Sequence, residues 1–161
     1  MRTVWIELAI LLALLVQSAI GQLAPAQARI IDPFLLVIVY CALTGGELQG
    51  MLTGGVAGWV QDVHFGGSVL GLIGLTRVLV GFGVGLAGTR FLLTGPGLRT
   101  LVLVVATLAD AGIFQWWAAV FDLRPTELSP AGLISRATVN AAVGVVLYQV
   151  VDRRFRREAG A

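Results

Sequence analysis

Lysine is absent from this sequence, histidine and cysteine occur once each, and charged residues make up only 12% of the 161 positions. Soluble domains carry about 25% charged residues, so this composition excludes an ordinary water-soluble enzyme. A single cysteine, Cys41, excludes an intrachain disulfide, and a single histidine is too few for a zinc or haem site. No Ser-His-Asp set or phosphate-binding lysine motif is present. We therefore predict no enzyme activity, no metal, no cofactor and no nucleic-acid partner.

Apolar residues are abundant instead, at 57% of the chain with a mean hydropathy of +0.90. They form runs that approach the roughly 20 residues needed to cross a bilayer. The second and third runs are short and separated only by Thr44-Gly45-Gly46, so a tilted or partly re-entrant hairpin is the alternative to two full crossings. We predict an all-α, polytopic integral membrane helix bundle, one domain over residues 1–161, with about six transmembrane helices at 4–22, 33–45, 47–63, 68–92, 99–123 and 131–151.

The arginines predict the orientation of the bundle. With a cytoplasmic amino terminus, seven arginines flank the spans on the inner side and two, Arg29 and Arg124, on the outer side. The positive-inside rule therefore predicts that both termini are cytoplasmic. We interpret the tail, residues 152–161, as a cytoplasmic basic anchor that attracts anionic lipid, with docking of a cytoplasmic protein as the alternative; its basic residues are Arg153, Arg154, Arg156 and Arg157.

Glycine is concentrated in the third and fourth spans, with 14 of 21 glycines between Gly45 and Gly88. Many recur at every fourth residue, which leaves one helical face almost bare. Because helices in lipid associate mainly through close packing, this face either packs within the bundle or receives a partner's helix. We hypothesise a groove for a partner helix; its predicted residues are Gly50, Gly54, Gly58, Asp62, Gly66, Gly67, Gly71, Gly81 and Gly85.

Charged residues inside the spans form the second predicted site. A charge at the bilayer centre costs about 2.5 to 3.5 kcal/mol even on mild scales, so each needs a partner. Arg77 and Asp110 fall near the midplane by residue count and form the first candidate ion pair. Asp62, Arg136 and Asn140 form a second candidate set in the outer third. We interpret both as structural contacts; a proton or substrate pathway is the alternative.

One stretch of this sequence resembles a known family. The motif Gly54-x3-Gly58-x3-Asp62-x3-Gly66, followed by Gly67-Ser68-Val69-Leu70-Gly71, is similar to the central motif of the rod shape-determining protein MreD family. Asp32-Pro33, Asp110 and Asn140 also lie where members of that family often carry similar residues.

The resemblance implies a non-catalytic scaffold of the bacterial elongation (Rod) complex in the inner membrane. Its implied partners are an MreC-like protein, the polymerase RodA, a class B penicillin-binding protein, the MreB filament and membrane lipid. The implied function is support of lateral peptidoglycan synthesis and rod cell shape. The resemblance also implies a bundle similar to the S-components of energy-coupling-factor transporters.

Two other functions stay open. A substrate-binding subunit of a vitamin transporter would line a pocket with Asp62, Arg136 and Asn140. A flippase-like enzyme would need an acidic or histidine cluster at head-group depth, which this sequence does not show.

Overall fold

The computed structural model describes residues 2–28, 30–65, 69–91, 96–123 and 129–159, without the side chains of residues 2, 3, 96 and 152–159. Every regular element within these ranges is helical, and four of the chain's five prolines begin a helix. Proline suits this position because the first turn of a helix leaves its N–H groups unbonded. The helices are α1 (Arg2–Leu23), α2 (Pro25–Ala28), α3 (Pro33–Phe65), α4 (Leu72–Phe91), α5 (Pro96–Val120) and α6 (Pro130–Ala159).

Five helical segments in the described ranges are long and apolar enough to cross a membrane, where the sequence predicts six. The protein is thus a multi-pass membrane protein and an all-α bundle. The segments are Val4–Leu23, Pro25–Phe65, Leu72–Phe91, Gly97–Val120 and Pro130–Val151.

The difference arises in α3, which folds back on itself at Gly46. This glycine has φ +80° and ψ −171°, a backbone conformation that interrupts the helix. The rings of Phe34 and Phe65 lie 6.4 Å apart between centroids. A straight helix joining these residues would be about 46 Å long, so the two ends have been brought together. The predicted second and third spans are therefore two antiparallel arms, residues 33–45 and 47–65, an arrangement that two full crossings and a re-entrant hairpin share.

The first arm of α3 forms the centre of the bundle. Phe34 and Ile38 pack on one side with Ile10 of α1 and Ala57 of the second arm. Leu36 and Val39 belong to a larger cluster on the other side, which includes Val80, Leu103, Ala141 and Tyr148 of α4, α5 and α6. The Tyr148 hydroxyl donates a 2.7 Å hydrogen bond to the Leu36 carbonyl. Apolar side chains on the outer faces of the helices remain exposed, as expected for surfaces that contact lipid.

The glycine face packs inside the bundle, so the predicted groove for a partner helix is wrong for its central residues. A Cβ added at Gly50 would overlap the Gly81 carbonyl, and one at Gly54 would overlap the Arg77 carbonyl. The second arm of α3 and α4 therefore meet backbone to backbone along this face, which leaves no space for another chain. The same holds at Gly58, which meets Gly74, and at Gly85, which meets Glu47.

Three members of the predicted set do not join this contact. Gly66 and Gly67 lie outside the described residues. Gly71 has φ +93° in the turn before α4. A Cβ added there would have no atom of the described residues within 4 Å. Its conformation favours glycine, and this accounts for the residue without any packing role.

Candidate functional site

Three buried charged residues and the half-buried Arg136, from four segments of the chain, meet in one group that we call the buried ion cluster. It consists of Asp32 immediately before α3, Arg77 of α4, Asp110 of α5 and Arg136 of α6. The Arg77 guanidinium pairs with both carboxylate oxygens of Asp32, and its Nε lies 2.9 Å from Asp110 Oδ1. Arg136 Nη2 lies 2.9 Å from Asp32 Oδ2 and 3.3 Å from Asp110 Oδ2. The cluster thus alternates two cations with two anions.

Asp32 occupies its place for a local reason. Its Oδ1 accepts a 3.0 Å hydrogen bond from the N–H of Leu35, which makes it the N-cap of α3. Pro33 follows at the first helical position, where no N–H is needed. The backbone N–H of Asp32 donates a 3.0 Å hydrogen bond to Asn140 Oδ1, which ties this cap to α6. One aspartate therefore begins the central arm and anchors it to two neighbouring helices.

The formal charges of the cluster cancel, since it contains two arginines and two aspartates. The exposed fractions of the four side chains are 3% for Arg77, 6% for Asp32, 7% for Asp110 and 17% for Arg136. Burial of any one of these charges alone would be costly, and the opposite charges offset much of that cost. Removal of one member leaves an uncompensated buried charge. We conclude that the cluster holds α3, α4, α5 and α6 in a fixed arrangement.

The predicted Arg77–Asp110 pair is present, but Arg77 lies closer to a helix end than predicted. Because α4 begins at Leu72, Arg77 follows its first residue by only five positions, about 7.5 Å along the axis. Asp110 precedes the last residue of α5 by ten positions, about 15 Å. The cluster therefore lies toward the end of the bundle at which α4 begins.

The second predicted set does not form. Asp62 instead contacts the start of α4, where its Oδ2 accepts a 2.9 Å hydrogen bond from Gly74 N–H and its Oδ1 a 3.4 Å bond from Ile73 N–H. The first turn of a helix carries unpaired N–H groups and a partial positive charge, which favour a carboxylate. Arg136 and Asn140 instead bond Asp32, so among the described contacts they share a partner that Asp62 does not.

Asp32 is the member of the cluster that the site prediction omitted. The sequence does contain a signal, because Asp-Pro before an apolar run is typical of an N-cap followed by the first helical residue. That signal indicates a helix start at the edge of a span, where a carboxylate has access to water. It does not indicate that the same carboxylate is buried against two arginines.

Two further features remain: the single histidine of the chain and the predicted basic anchor. Ser18 Oγ and His64 Nε2 lie 3.3 Å apart, between α1 and the end of α3. The described residues contain no group of three or more His, Cys, Asp or Glu placed to hold a metal ion. The α6 helix continues through the basic tail to Ala159, but the side chains of Arg153, Arg154, Arg156 and Arg157 lie outside the described residues.

Comparison with known proteins gives one family. The sequence profile described as "rod shape-determining protein MreD" matches residues 1–131, a range that contains α1 to α5 and three members of the buried ion cluster. No curated protein and no solved structure gives a significant match. The family consists of shape-determining membrane proteins and is not a known enzyme family, and its name indicates a role in rod shape determination. Since the match covers more than half of the chain, the protein belongs to the MreD family of rod shape-determining proteins.

Proposed function

We propose that this protein is a non-catalytic scaffold of the bacterial elongation (Rod) complex and acts as a single transmembrane domain in the cytoplasmic membrane. It binds an MreC-like protein directly and, through this assembly, associates with RodA, a class B penicillin-binding protein and the MreB filament. In this way it supports lateral peptidoglycan synthesis and a rod-shaped cell. The family match over residues 1–131 carries the proposal.

The interior of the bundle is consistent with a scaffold. Its buried charged groups bond one another or cap a helix, and its bare glycine face joins α3 to α4. These contacts use the polar and small residues of the interior to fix helix positions. Partners must therefore bind on the outer faces of the bundle, where large apolar side chains are exposed. A rigid bundle with several apolar faces is suited to hold other membrane helices in place.

The orientation of the scaffold follows from the arginines. Seven of them flank the spans on one side if the amino terminus is cytoplasmic, and two flank the other side. This distribution supports cytoplasmic positions for both termini. The basic tail then lies against anionic lipid on the same side as the MreB filament.

The proposal is tested by depletion in the native host. Cells that lose the protein are expected to become round and to lose lateral incorporation of a fluorescent D-amino acid, and re-expression is expected to restore both. Affinity purification in mild detergent is expected to retain the MreC-like protein of the same organism, with an unrelated multi-pass membrane protein as the control bait. Depleted cells that stay rod-shaped with normal lateral labelling would contradict the proposal.

A further inference from the structure

The first helix is the least buried of the five apolar segments among the described residues. Only 11% of its apolar segment is buried, against 28% to 53% for the other four segments. Within the described part of the chain, α1 packs only against α3 and the short α2. Large apolar side chains cover its free surface, among them Leu8, Leu11 and Leu15. Most of α1 is therefore available to lipid or to another helix.

The contacts of α1 define a crevice beside the second arm of α3. Ser18 lies next to His64, and Ile10 clusters with Ala57, so the two helices run parallel with a constant offset. Leu14 of α1 and Val60 of the second arm pack at the edge of this contact.

Exposed positions that precede these edge residues on the same helix faces form the surface of the crevice. Glu7 lies two turns before Leu14, and Val56 lies one turn before Val60. These positions share a face with the edge residues but are exposed. We call the surface formed by Glu7, Leu11 and Val56 the α1–α3 crevice.

Glu7 gives this crevice a chemical preference. Its side chain is exposed three residues inside the apolar segment Val4–Leu23. No described side chain, a set that excludes Arg2 and Thr3, forms an ion pair or hydrogen bond with its carboxylate. A carboxylate at this depth is only partly hydrated, and a cation of a neighbouring helix would stabilise it. Anionic lipid head groups do not supply one.

A second copy of this chain would bring a second Glu7 to the same depth in the membrane, which disfavours it as the occupant. In a symmetric contact centred on this surface, the two Glu7 carboxylates would approach each other and repel. A helix with a basic residue at the same depth would satisfy the carboxylate. Membrane helices that begin in the cytoplasm carry arginine or lysine at this end, as the positive-inside rule states.

We propose that the α1–α3 crevice binds the single transmembrane helix of a bitopic partner, with a lysine or arginine near its cytoplasmic end placed against Glu7. The proposal rests on the proposed function for the identity of this partner as the MreC-like protein. The apolar rim supplied by Leu11 and Val56 contributes packing area, and Glu7 sets the depth and the charge of the matching residue.

The test is co-purification with the co-expressed MreC-like protein, with two variants of the crevice and one matched control. Glu7→Arg and Val56→Trp are each expected to reduce the retained partner at least tenfold. The control is Val105→Trp on α5, because Val105 is exposed to 55% and Val56 to 52%. It is expected to retain the partner within a factor of two of the unsubstituted protein. Replacement of the partner's basic residue by glutamate is expected to restore binding to Glu7→Arg.

The outcomes separate this inference from the proposed function. Full binding by both crevice variants would overturn the crevice and leave the scaffold function in place. If even the unsubstituted chain does not bind the MreC-like protein, the partner named in the proposed function and in the crevice proposal is wrong. A change in self-association alone, measured as the mass of the purified complex, would assign the crevice to a second copy and overturn the inference. Failure of the charge exchange with a Glu7→Arg protein that inserts and purifies in normal amount would reject Glu7 as the matching site, and Val56→Trp tests the crevice independently of that substitution.

Discussion

The buried ion cluster makes a quantitative prediction about Arg77. Arg77→Leu removes one cation and leaves the carboxylates of Asp32 and Asp110 facing Arg136 alone, so the cluster gains a net negative charge in the bundle interior. Removal of one partner from a buried ion pair costs about 3 to 5 kcal/mol, because the remaining charge stays desolvated. Arg77 contacts two carboxylates, so we expect a loss at the upper end of this range.

A second substitution distinguishes charge imbalance from loss of contacts. Arg77→Leu combined with Asp110→Leu removes one cation and one anion, and the Asp32–Arg136 pair at 2.9 Å remains. Replacement of a buried pair by apolar residues of similar size is often neutral or stabilising. We therefore expect the free energy of unfolding of the double variant to lie within about 2 kcal/mol of that of the unsubstituted protein, although each single variant loses more.

The assay is reversible denaturation in detergent micelles, with thermal aggregation of the tagged protein as a second measure. Arg90→Leu on the same helix is the control, since Arg90 is exposed and its loss is expected to change stability by less than about 0.5 kcal/mol. A loss below about 1 kcal/mol for Arg77→Leu would refute the argument for a buried cluster. A double variant as unstable as the sum of the two single variants would refute the argument from charge balance.

Two further predictions concern α4. Gly54→Leu places a side chain on the Arg77 carbonyl and forces α3 and α4 apart, which is expected to cost about 3 kcal/mol or more. The matched control Gly83→Leu is expected to be neutral, because a Cβ there meets no atom within 4 Å among the described residues; equal melting temperatures for both variants would contradict the packing. Asp62→Ala removes the carboxylate that accepts from Gly74 at 2.9 Å and is expected to cost about 1 kcal/mol, measured by the same denaturation. Retention of full stability would show that this cap contributes nothing.

The boundaries of the helices were predictable because they depend on local features. The predicted spans 4–22, 99–123 and 131–151 correspond to α1, α5 and the membrane segment of α6, with shifts of at most three residues at each end. Apolar runs, prolines and turn glycines act within a few residues, and they limit each helix wherever the rest of the chain lies. The reversal at Gly46 is also local, since it follows from two adjacent glycines between short runs.

The pairing of residues across the bundle was only partly predictable. The sequence determined that Arg77 and Asp110, inside apolar spans, each need a partner of opposite charge. It also determined that Gly50, Gly54 and Gly58 leave one helix face bare. It did not determine which surface covers that face. The tertiary structure decided it in favour of α4, because backbone contact along a whole helix leaves no space for a partner.

Asp32 shows the same division. The capping role of this residue depends on sequence neighbours alone, since Asp-Pro before an apolar run acts over three residues. Only the tertiary structure decided that its carboxylate joins Arg77, 45 residues away, and Arg136, 104 residues away. The physical reason is range. Capping depends on neighbours along the chain, whereas an ion cluster depends on how four helices pack, and charges far apart in sequence meet only when burial of the apolar faces brings them together.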